Sequence, residues 1–266
     1  MNLIHSSALI ESGARIGDDV EIGPACCIGA DVEIGQGSVL QAHVVITGKT
    51  SIGPGARIHS FASLGQPPQS IGFKGAGTGL TIGRDTVIGE HVTMNTGTNK
   101  DGKPTVVGDG GMFLPGAHVA HDCRVGSHVV FEERATLAGH VTIGDYATIG
   151  RQTAIHQFSR IGKHAVVGEA TAVGKDIVPY AIAAGYGPQL RGLNVAGLRK
   201  HNFPANDIRA LRDAYREIFL GGGSYTDRIF AVAEKFKDSA VVMEVIDFIT
   251  ADKSRPICTV TLDGED

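Results

Sequence analysis

The sequence of 266 residues contains no tryptophan, only four cysteines, and no apolar run of the roughly 18 residues that a membrane-spanning helix needs. The cysteines have neither the spacing of a zinc site nor that of a disulfide framework, which is typical of reduced thiols. The N-terminus lacks the basic region and apolar core of a signal peptide. These absences predict a soluble, cytoplasmic protein with no integral membrane segment.

An excess of one charge is also lacking, since 24 basic and 28 acidic side chains leave a net charge of −4. This balance argues against nucleic acid as a partner, because nucleic-acid-binding domains are usually basic. The sequence has no nucleophile elbow, Walker loop or Cys-x-x-Cys motif, and its glycine-rich segment 75–79 lacks a strand-to-helix context. Serine-hydrolase, phosphate-loop and dinucleotide chemistry are therefore not indicated.

Glycine, by contrast, is abundant, with 37 residues, and aliphatic side chains recur at every sixth position. A period of six fits neither an α-helix nor an alternating strand, but it fits a parallel β-helix whose flat faces each use one hexapeptide. The pattern resembles the hexapeptide-repeat acyltransferases, which implies a left-handed β-helix with three hexapeptides in each triangular coil. The repeated positions are Ile4, Ile10, Ile16, Ile22, Ile28, Ile34, Leu40, Ile46, Ile52, Ile58, Leu64, Ile82, Ile88, Met94, Val107, Phe113, Val119, Val125, Phe131, Leu137, Ile143, Ile149, Ile155, Ile161, Val167 and Val173.

Two segments, at about 65–80 and 95–106, break the repeat before it resumes. The chain must leave the coil there as two loops and then rejoin it. Extruded loops tend to carry function, although tolerated insertions would look the same in sequence. Both segments are therefore candidate parts of a binding site.

The C-terminal part of the chain has a different pattern. The six-residue period is lost after Val173, and helix-forming residues dominate from Pro188 onward. Apolar faces with helical spacing follow around Leu211, Val232 and Val245. We therefore predict a β-helix over 1–187 and a small α-helical C-terminal domain over 188–266.

Histidine is concentrated in three short segments of the repeat. If each coil uses three hexapeptides, residues 18 apart stack at about the 4.8 Å spacing of neighbouring strands. His121 then lies beneath Gly139, which lies beneath Gln157, and Asp122 lies beneath His140. The count therefore predicts that widely separated motifs converge on one edge of the β-helix.

These residues include the groups that acyl transfer to a hydroxyl requires. The hydroxyl must lose a proton as it attacks a thioester, and histidine is the side chain that titrates nearest the working pH. Asp122, or another acid nearby in space, can orient the imidazole of His121, and a backbone N–H such as that of Gly139 can bind an oxyanion. Two other interpretations are surface histidines at coil corners and a zinc site of the carbonic anhydrase type. The glycine-rich surroundings and Asp122 favour base catalysis.

Beyond the repeat, the chain contains several specific short motifs, which are I-G-P at 22–24, A-H-V-A-H-D-C at 117–123, L-A-G-H-V at 137–141, A-I-H-Q-F at 154–158, G-L-N at 192–194 and G-L at 197–198. With these motifs the sequence resembles the acyl carrier protein–UDP-N-acetylglucosamine O-acyltransferases over nearly its whole length. The resemblance implies transfer of a 3-hydroxyacyl chain from acyl carrier protein to the sugar 3-OH of UDP-N-acetylglucosamine, the first step of lipid A biosynthesis. It also implies a homotrimer with sites between adjacent subunits, no metal, and no cofactor beyond the phosphopantetheine arm of the carrier.

The same resemblance implies roles for individual residues. His121 would be the general base, Asp122 would polarise it, and the Gly139 amide would donate to the oxyanion. The residues expected to contact substrate or the carrier's arm are Lys74, Asn95, His118, His140, His156, Gln157, Asn194, Arg199 and Lys200.

Acyl carrier proteins are acidic, and the C-terminal segment has a local basic excess. The excess fits a docking surface for the carrier, although solvated helix surfaces commonly have the same composition. The basic residues are Arg191, Arg199, Lys200, Arg209, Arg212 and Arg216.

The chain departs from the family pattern in three places. Asn95 replaces a histidine of the best-known members, and the basic pair near Gly197 is less arginine-rich, with Lys200 followed by His201. Glu169 replaces a glycine near the acyl groove, and we expect it to point outward because a buried carboxylate would be costly. These changes leave acyl length and acceptor preference open.

Three alternatives remain at this stage. The related N-acyltransferases have an additional N-terminal domain, whereas repeats begin here at Ile4. A coenzyme A-dependent acyltransferase on the same fold would not need a carrier-docking tail. The third alternative is a noncatalytic β-helix module that binds a sugar nucleotide. Loss of catalysis on replacing His121 would exclude it.

Overall fold

The computed structural model describes residues 1–75, 77–99, 102–252 and 254–260, and its main body is a parallel β-helix. Short strands alternate among three sheets in strict rotation until residue 173. The first sheet contains β1 (Leu3–Ile4), β4 (Glu21–Ile22), β7 (Val39–Leu40), β10 (Arg57–Ile58), β13 (Val87–Ile88), β16 (Met112–Phe113), β19 (Val130–Phe131), β22 (Thr148–Ile149), β25 (Val166–Val167), β27 (Ala181–Ala184) and β28 (Gln189–Leu193). The second contains β2 (Leu9–Ile10), β5 (Cys27–Ile28), β8 (Val45–Ile46), β11 (Ser63–Gln66), β14 (Thr93–Asn95), β17 (His118–Val119), β20 (Thr136–Leu137), β23 (Ala154–Ile155) and β26 (Ala172–Val173). The third contains β3 (Arg15–Ile16), β6 (Val32–Ile34), β9 (Thr50–Ile52), β12 (Leu80–Ile82), β15 (Thr105–Val107), β18 (Arg124–Val125), β21 (Thr142–Ile143) and β24 (Arg160–Ile161).

The repeated aliphatic residues fill the interior, because each short strand points one side chain inward and the next outward. From Ile22 to Val173 these inward positions are at most 3% exposed. Corners between sheets pack backbone against backbone, and a Cβ on Gly35 would lie 2.5 Å from the Pro54 nitrogen. The predicted β-helix of hexapeptide repeats is therefore confirmed.

The register confirms the count of 18 residues per coil near the histidine motifs. Val119 pairs with Leu137, and Leu137 pairs with Ile155. Earlier in the chain the separations are longer, since Leu64 pairs with Met94 and Met94 with Val119. The additional residues form the two loops that interrupt the repeat.

We call residues 67–79 the first loop and residues 96–104 the second loop; positions 76, 100 and 101 lie outside the described residues. The first loop connects β11 to β12, and the second connects β14 to β15. Both loops therefore leave the coil at the corner between the second and third sheets, on successive turns.

In the described part of the chain, four α-helices follow the β-helix. They are α1 (Val195–Lys200), α2 (Ala205–Leu220), α3 (Tyr225–Lys235) and α4 (Ala240–Ala251). The expected apolar faces of α2 and α4 are buried, while α3 buries only Val232. The boundary predicted between 187 and 188 falls inside a hairpin, since β28 pairs antiparallel with β27 and still belongs to the first sheet. No helix in the described part of the chain is long and apolar enough to span a membrane.

A ladder of stacked rings joins the β-helix to these helices at the corner between the third and first sheets. His128, Tyr146, His164 and Tyr180 stack with centroid distances of 4.9, 4.7 and 5.9 Å. His201, just after α1, packs edge-on against Tyr146 and His164. Through His201, the ring ladder therefore packs the end of α1 against the β-helix.

Candidate active site

The corner from which both loops emerge also carries His121, and the loops and the corner together line a solvent-open cavity of about 920 Å³. The first loop forms one side of the cavity, and the corner residues of three successive coils form the other. The lining residues are Gln69, Ser70, Ile71, Gly72, Phe73, Lys74, Gly75, Thr98, Asn99, His121, His140, Gln157 and Phe158.

His121 and Asp122 form a hydrogen-bonded pair on this corner. The Nδ1 atom of His121 lies 2.8 Å from Oδ2 of Asp122, and both side chains are about 10% exposed. An ionised carboxylate only accepts hydrogen bonds, so Nδ1 must carry the proton. The Nε2 atom is then left with a free lone pair, which is the form that a general base needs.

Asp122 accepts further hydrogen bonds from the second loop. The Thr98 backbone N–H donates to Oδ1 at 2.9 Å, and the Thr98 hydroxyl donates to Oδ2 at 2.8 Å. Burial alone would raise the pKa of Asp122, but the hydrogen bonds from His121 and Thr98 outweigh it and hold the pKa below its ordinary value. The carboxylate therefore stays charged beside the imidazole.

Gly139 lies directly against the ring of His121. A Cβ at this position would lie 2.8 Å from Nε2 of His121, so any larger residue would displace the imidazole. Among the described residues, none accepts a hydrogen bond from the Gly139 N–H. The amide is therefore available to an oxygen that develops negative charge near His121.

His140 occupies the next coil above Asp122. Its Nε2 lies 3.5 Å from Oδ2 of Asp122, and its ring stacks on Phe158 with a centroid distance of 4.5 Å. The ring also meets His121 edge-on at 5.2 Å. His121, Asp122 and His140 each offer a ligand atom within 4.8 Å of the others, so these three residues are also the group that could hold a metal ion.

His118 is the first residue of β17, and its side chain lies on the outward side of this strand. Its Nδ1 is 2.7 Å from the Thr93 hydroxyl. Burial and the neighbouring His121 lower the pKa of His118 below its ordinary value. The ring is therefore held neutral, as a hydrogen-bonding rather than a charged group.

Lys74 and Gln157 line the cavity, whereas two other predicted contacts lie apart from it. Asn95 is 2% exposed, and its amide donates to the Pro67 carbonyl at 2.7 Å, beneath the start of the first loop. His156 is exposed, and its Nδ1 lies 3.3 Å from Nη2 of Arg255.

The predicted contacts in the C-terminal part lie around α1. Asn194 caps this helix, since its Oδ1 accepts from the Gly197 N–H at 2.9 Å and its Nδ2 donates to the His164 carbonyl at 2.9 Å. Arg199 and Lys200 are exposed in the last turn. These residues are not brought into the cavity within one chain, so their assignment to substrate stays a prediction.

Sequence reasoning missed three residues beside the site. Phe158 is 18 residues after His140, so the same repeat count would have placed the two rings together. Thr98 and Arg255 gave no signal, because each reaches its position through a loop or tail outside the repeat. Glu169 points outward, as expected, and its Oε2 atom lies 3.5 Å from Nε of Arg151.

Comparison with known proteins places the chain among bacterial acyltransferases. The family model described as Udp N-acetylglucosamine O-acyltransferase, Domain 2, matches residues 176–258, and the bacterial transferase hexapeptide model matches residues 13–48. The acyl-(acyl-carrier-protein)–UDP-N-acetylglucosamine O-acyltransferase of Caulobacter vibrioides is 49% identical over 96% of this chain and 97% of its own length. That of Rickettsia prowazekii is 44% identical over 96% of this chain and 97% of its own length.

Solved structures agree with these relatives. LpxA from Acinetobacter baumannii superposes with a TM-score of 0.92 and 37% identity, covering 96% of this chain and 99% of the other. UDP-N-acetylglucosamine acyltransferase from Campylobacter jejuni gives a TM-score of 0.90 and 35% identity, covering 97% of this chain and all of the other. The predicted fold class, a left-handed β-helix followed by α-helices, and the family resemblance are confirmed. The chain belongs to the family of acyl-(acyl-carrier-protein)–UDP-N-acetylglucosamine O-acyltransferases.

Proposed function

We propose that this O-acyltransferase moves an (R)-3-hydroxyacyl chain from acyl carrier protein to the 3-OH of the glucosamine ring of UDP-N-acetylglucosamine, the first step of lipid A biosynthesis. The observation that carries the proposal is the His121–Asp122 pair, 2.8 Å apart, in a cavity roofed by the first loop. Membership of the family supplies the substrate classes, and the pair supplies the chemistry.

The reaction follows from the site's donors and acceptors. His121 Nε2 takes the proton of the sugar hydroxyl as its oxygen attacks the thioester carbonyl, and Asp122 stabilises the imidazolium that forms. The Gly139 N–H binds the oxyanion of the tetrahedral intermediate. Collapse of this intermediate breaks the C–S bond, and the imidazolium returns its proton to the departing thiolate of the phosphopantetheine arm. This route needs no metal and no further cofactor.

Substrate contacts extend the proposal beyond the pair. Lys74 and Gln157 lie on the cavity wall, where a cationic group and an amide suit a nucleotide sugar. The remaining proposed contacts are Asn95, His118, His140, His156, Asn194, Arg199 and Lys200. The carrier would dock on the C-terminal helices, where exposed basic side chains complement an acidic partner.

Assembly and location are also part of the proposal. We propose a homotrimer, in which Arg199 and Lys200 of one subunit approach the cavity of another, because they do not reach a cavity within one chain. We propose a cytoplasmic location, because Cys26, Cys27, Cys123 and Cys258 are all free thiols, as a reducing compartment would keep them.

The test is to incubate the purified protein with UDP-N-acetylglucosamine and 3-hydroxyacyl carrier proteins of several chain lengths, following the acylated sugar nucleotide by mass spectrometry. Product from the carrier-bound substrates, unchanged by a metal chelator, supports the proposal and reports acyl length. Product only from coenzyme A thioesters would move the chain to the wider hexapeptide acyltransferases. Loss of turnover with the chelator would instead favour a metal at His121, Asp122 and His140.

A further inference from the structure

The two loops are tied to each other immediately beside the His121–Asp122 pair. The Thr78 N–H donates to the Gly97 carbonyl, and the Gly97 N–H donates to the Gly79 carbonyl, both at 3.0 Å. The Thr105 N–H also donates to Gly79, at 3.1 Å. Gly79, the last residue of the first loop, therefore accepts hydrogen bonds from Gly97, near the start of the second loop, and from Thr105, the residue directly after it.

Asp122 is hydrogen-bonded to Thr98, near the start of the second loop, and to Thr105, directly after it. Its carboxylate accepts from the backbone and hydroxyl of Thr98, and its own backbone N–H donates to the Thr105 hydroxyl at 2.9 Å. A Cβ on Gly97 would lie 2.9 Å from Oδ1 of Asp122, so the second loop approaches the carboxylate as closely as a residue without a side chain allows. The start of the second loop thus contacts the Asp122 carboxylate directly.

The two donors of Thr98 act on different oxygens. The N–H occupies Oδ1, and the hydroxyl shares Oδ2 with His121. Rotation of the carboxylate about its Cβ–Cγ bond would break both contacts with Thr98 and the contact with Nδ1. Hydrogen bonds to a charged acceptor are stronger than those between neutral groups. The pair of bonds therefore restrains the plane of the carboxylate and, through it, the imidazole.

We propose that Thr98 is a positioning residue for acyl transfer, which orients Asp122, and thereby His121, through its paired hydrogen bonds from the second loop. The inference rests on the proposed function, since it assigns Thr98 a place in that reaction. Thr98 acts through Asp122, and the tie to the first loop extends this restraint to the segment that roofs the cavity.

The experiment compares Thr98→Val with Thr98→Ser in the acyl-transfer assay. Valine keeps the shape and the backbone N–H but removes the hydroxyl, and we expect kcat to fall about tenfold to hundredfold with KM for both substrates within about threefold. Serine restores the hydroxyl and should recover most of kcat. The matched control is Thr96→Val in the same loop, whose hydroxyl donates at 3.3 Å to the Gln66 carbonyl instead, and it should stay within about threefold of wild type.

A double-mutant cycle distinguishes positioning from general loop damage. If Thr98 acts through Asp122, adding Thr98→Val to Asp122→Asn should lower kcat by less than about threefold further. Full additivity of the two losses, or wild-type kcat in Thr98→Val, would overturn the inference while leaving the acyltransferase activity established. An inactive wild-type enzyme would instead count against the proposed function.

Discussion

Two corners of the same β-helix place residues in the same left-handed backbone conformation but in opposite environments. Asp122 and His140, at the corner between the second and third sheets, have φ of 60° and 63°; His128 and His164, between the third and first sheets, have φ of 56° and 53°. At the first corner the imidazoles meet a carboxylate and a cavity. At the second, His164 is 5% exposed and sealed within the ring ladder. The repeat thus sets where a histidine stands, and its neighbours set what it can do.

Removing one histidine from each corner tests whether the two corners differ in function. We expect His121→Ala to lower kcat by about 10²- to 10⁴-fold, because it removes the general base. The comparison variant His128→Ala, at the ring ladder and away from the cavity, should stay within about threefold of wild type. Turnover with UDP-N-acetylglucosamine and a 3-hydroxyacyl carrier protein measures both, and similar losses in the two variants would mean that the corners are not functionally distinct.

Packing at the catalytic corner can be tested without removing a polar group. Gly139→Ala should lower kcat about a hundredfold, because the added Cβ displaces the imidazole of His121. The control is Gly174→Ala, since a Cβ there meets nothing within 4 Å. Turnover and melting temperature should be measured together. An active Gly139→Ala enzyme would show that the ring has room to move without cost.

The ladder corner should respond to pH through stability instead. Burial, with His201 and Lys163 nearby, lowers the pKa of His164 to about 4. Because the unfolded chain then binds more protons between about pH 6.5 and 4, stability should fall as pH falls through this window, by up to roughly 3 kcal/mol.

The variant His164→Phe keeps a ring in the ladder and should lose most of this pH dependence, while Tyr146→Phe should keep it. Denaturant unfolding at pH 7 and pH 4.5, at one protein concentration, measures the difference. If the free energy of unfolding changes equally between pH 7 and pH 4.5 in wild type and in His164→Phe, the pH dependence belongs to other groups.

Asn194 links the ring ladder to α1, and its loss should have a modest effect on stability. Asn194→Ala should cost about 1 kcal/mol from the lost helix cap, plus a similar amount from the lost bond to the His164 carbonyl. Ser224→Ala removes only a cap, that of α3, and serves as the control. If kcat/KM falls far more than this loss of stability explains, Asn194 also contacts substrate; if it does not, its role is structural.

Much of the fold was predictable, because a period of six over the repeated positions fits a parallel β-helix, and the family resemblance supplied its handedness and the three hexapeptides of each coil. The same count of 18 placed His121, Gly139 and Gln157 on one edge, and Asp122 beneath His140. The helical faces around Leu211 and Val245 were equally visible. These predictions succeeded where the spacing was regular.

Prediction was weakest where the chain leaves the repeat. The hydrogen bond from the Asn95 amide to the Pro67 carbonyl was not predicted, and the contact of Asn95 with substrate stays a prediction. Thr98 was not singled out at all. The conformation of a loop depends on what it meets after leaving the coil, and no periodicity encodes that.

The period of six predicted a β-helix, because an inward aliphatic residue every six positions is buried in a stack of flat-faced coils. The three hexapeptides per coil came from the family resemblance, and with that coil length residues 18 apart stack at one corner. The folded chain was needed to show that Thr98 hydrogen-bonds to Asp122, that Asn194 caps α1, and that His164 is buried while His121 faces a cavity. Those contacts join segments with no common period, so they exist only once loops, helices and coil have packed together.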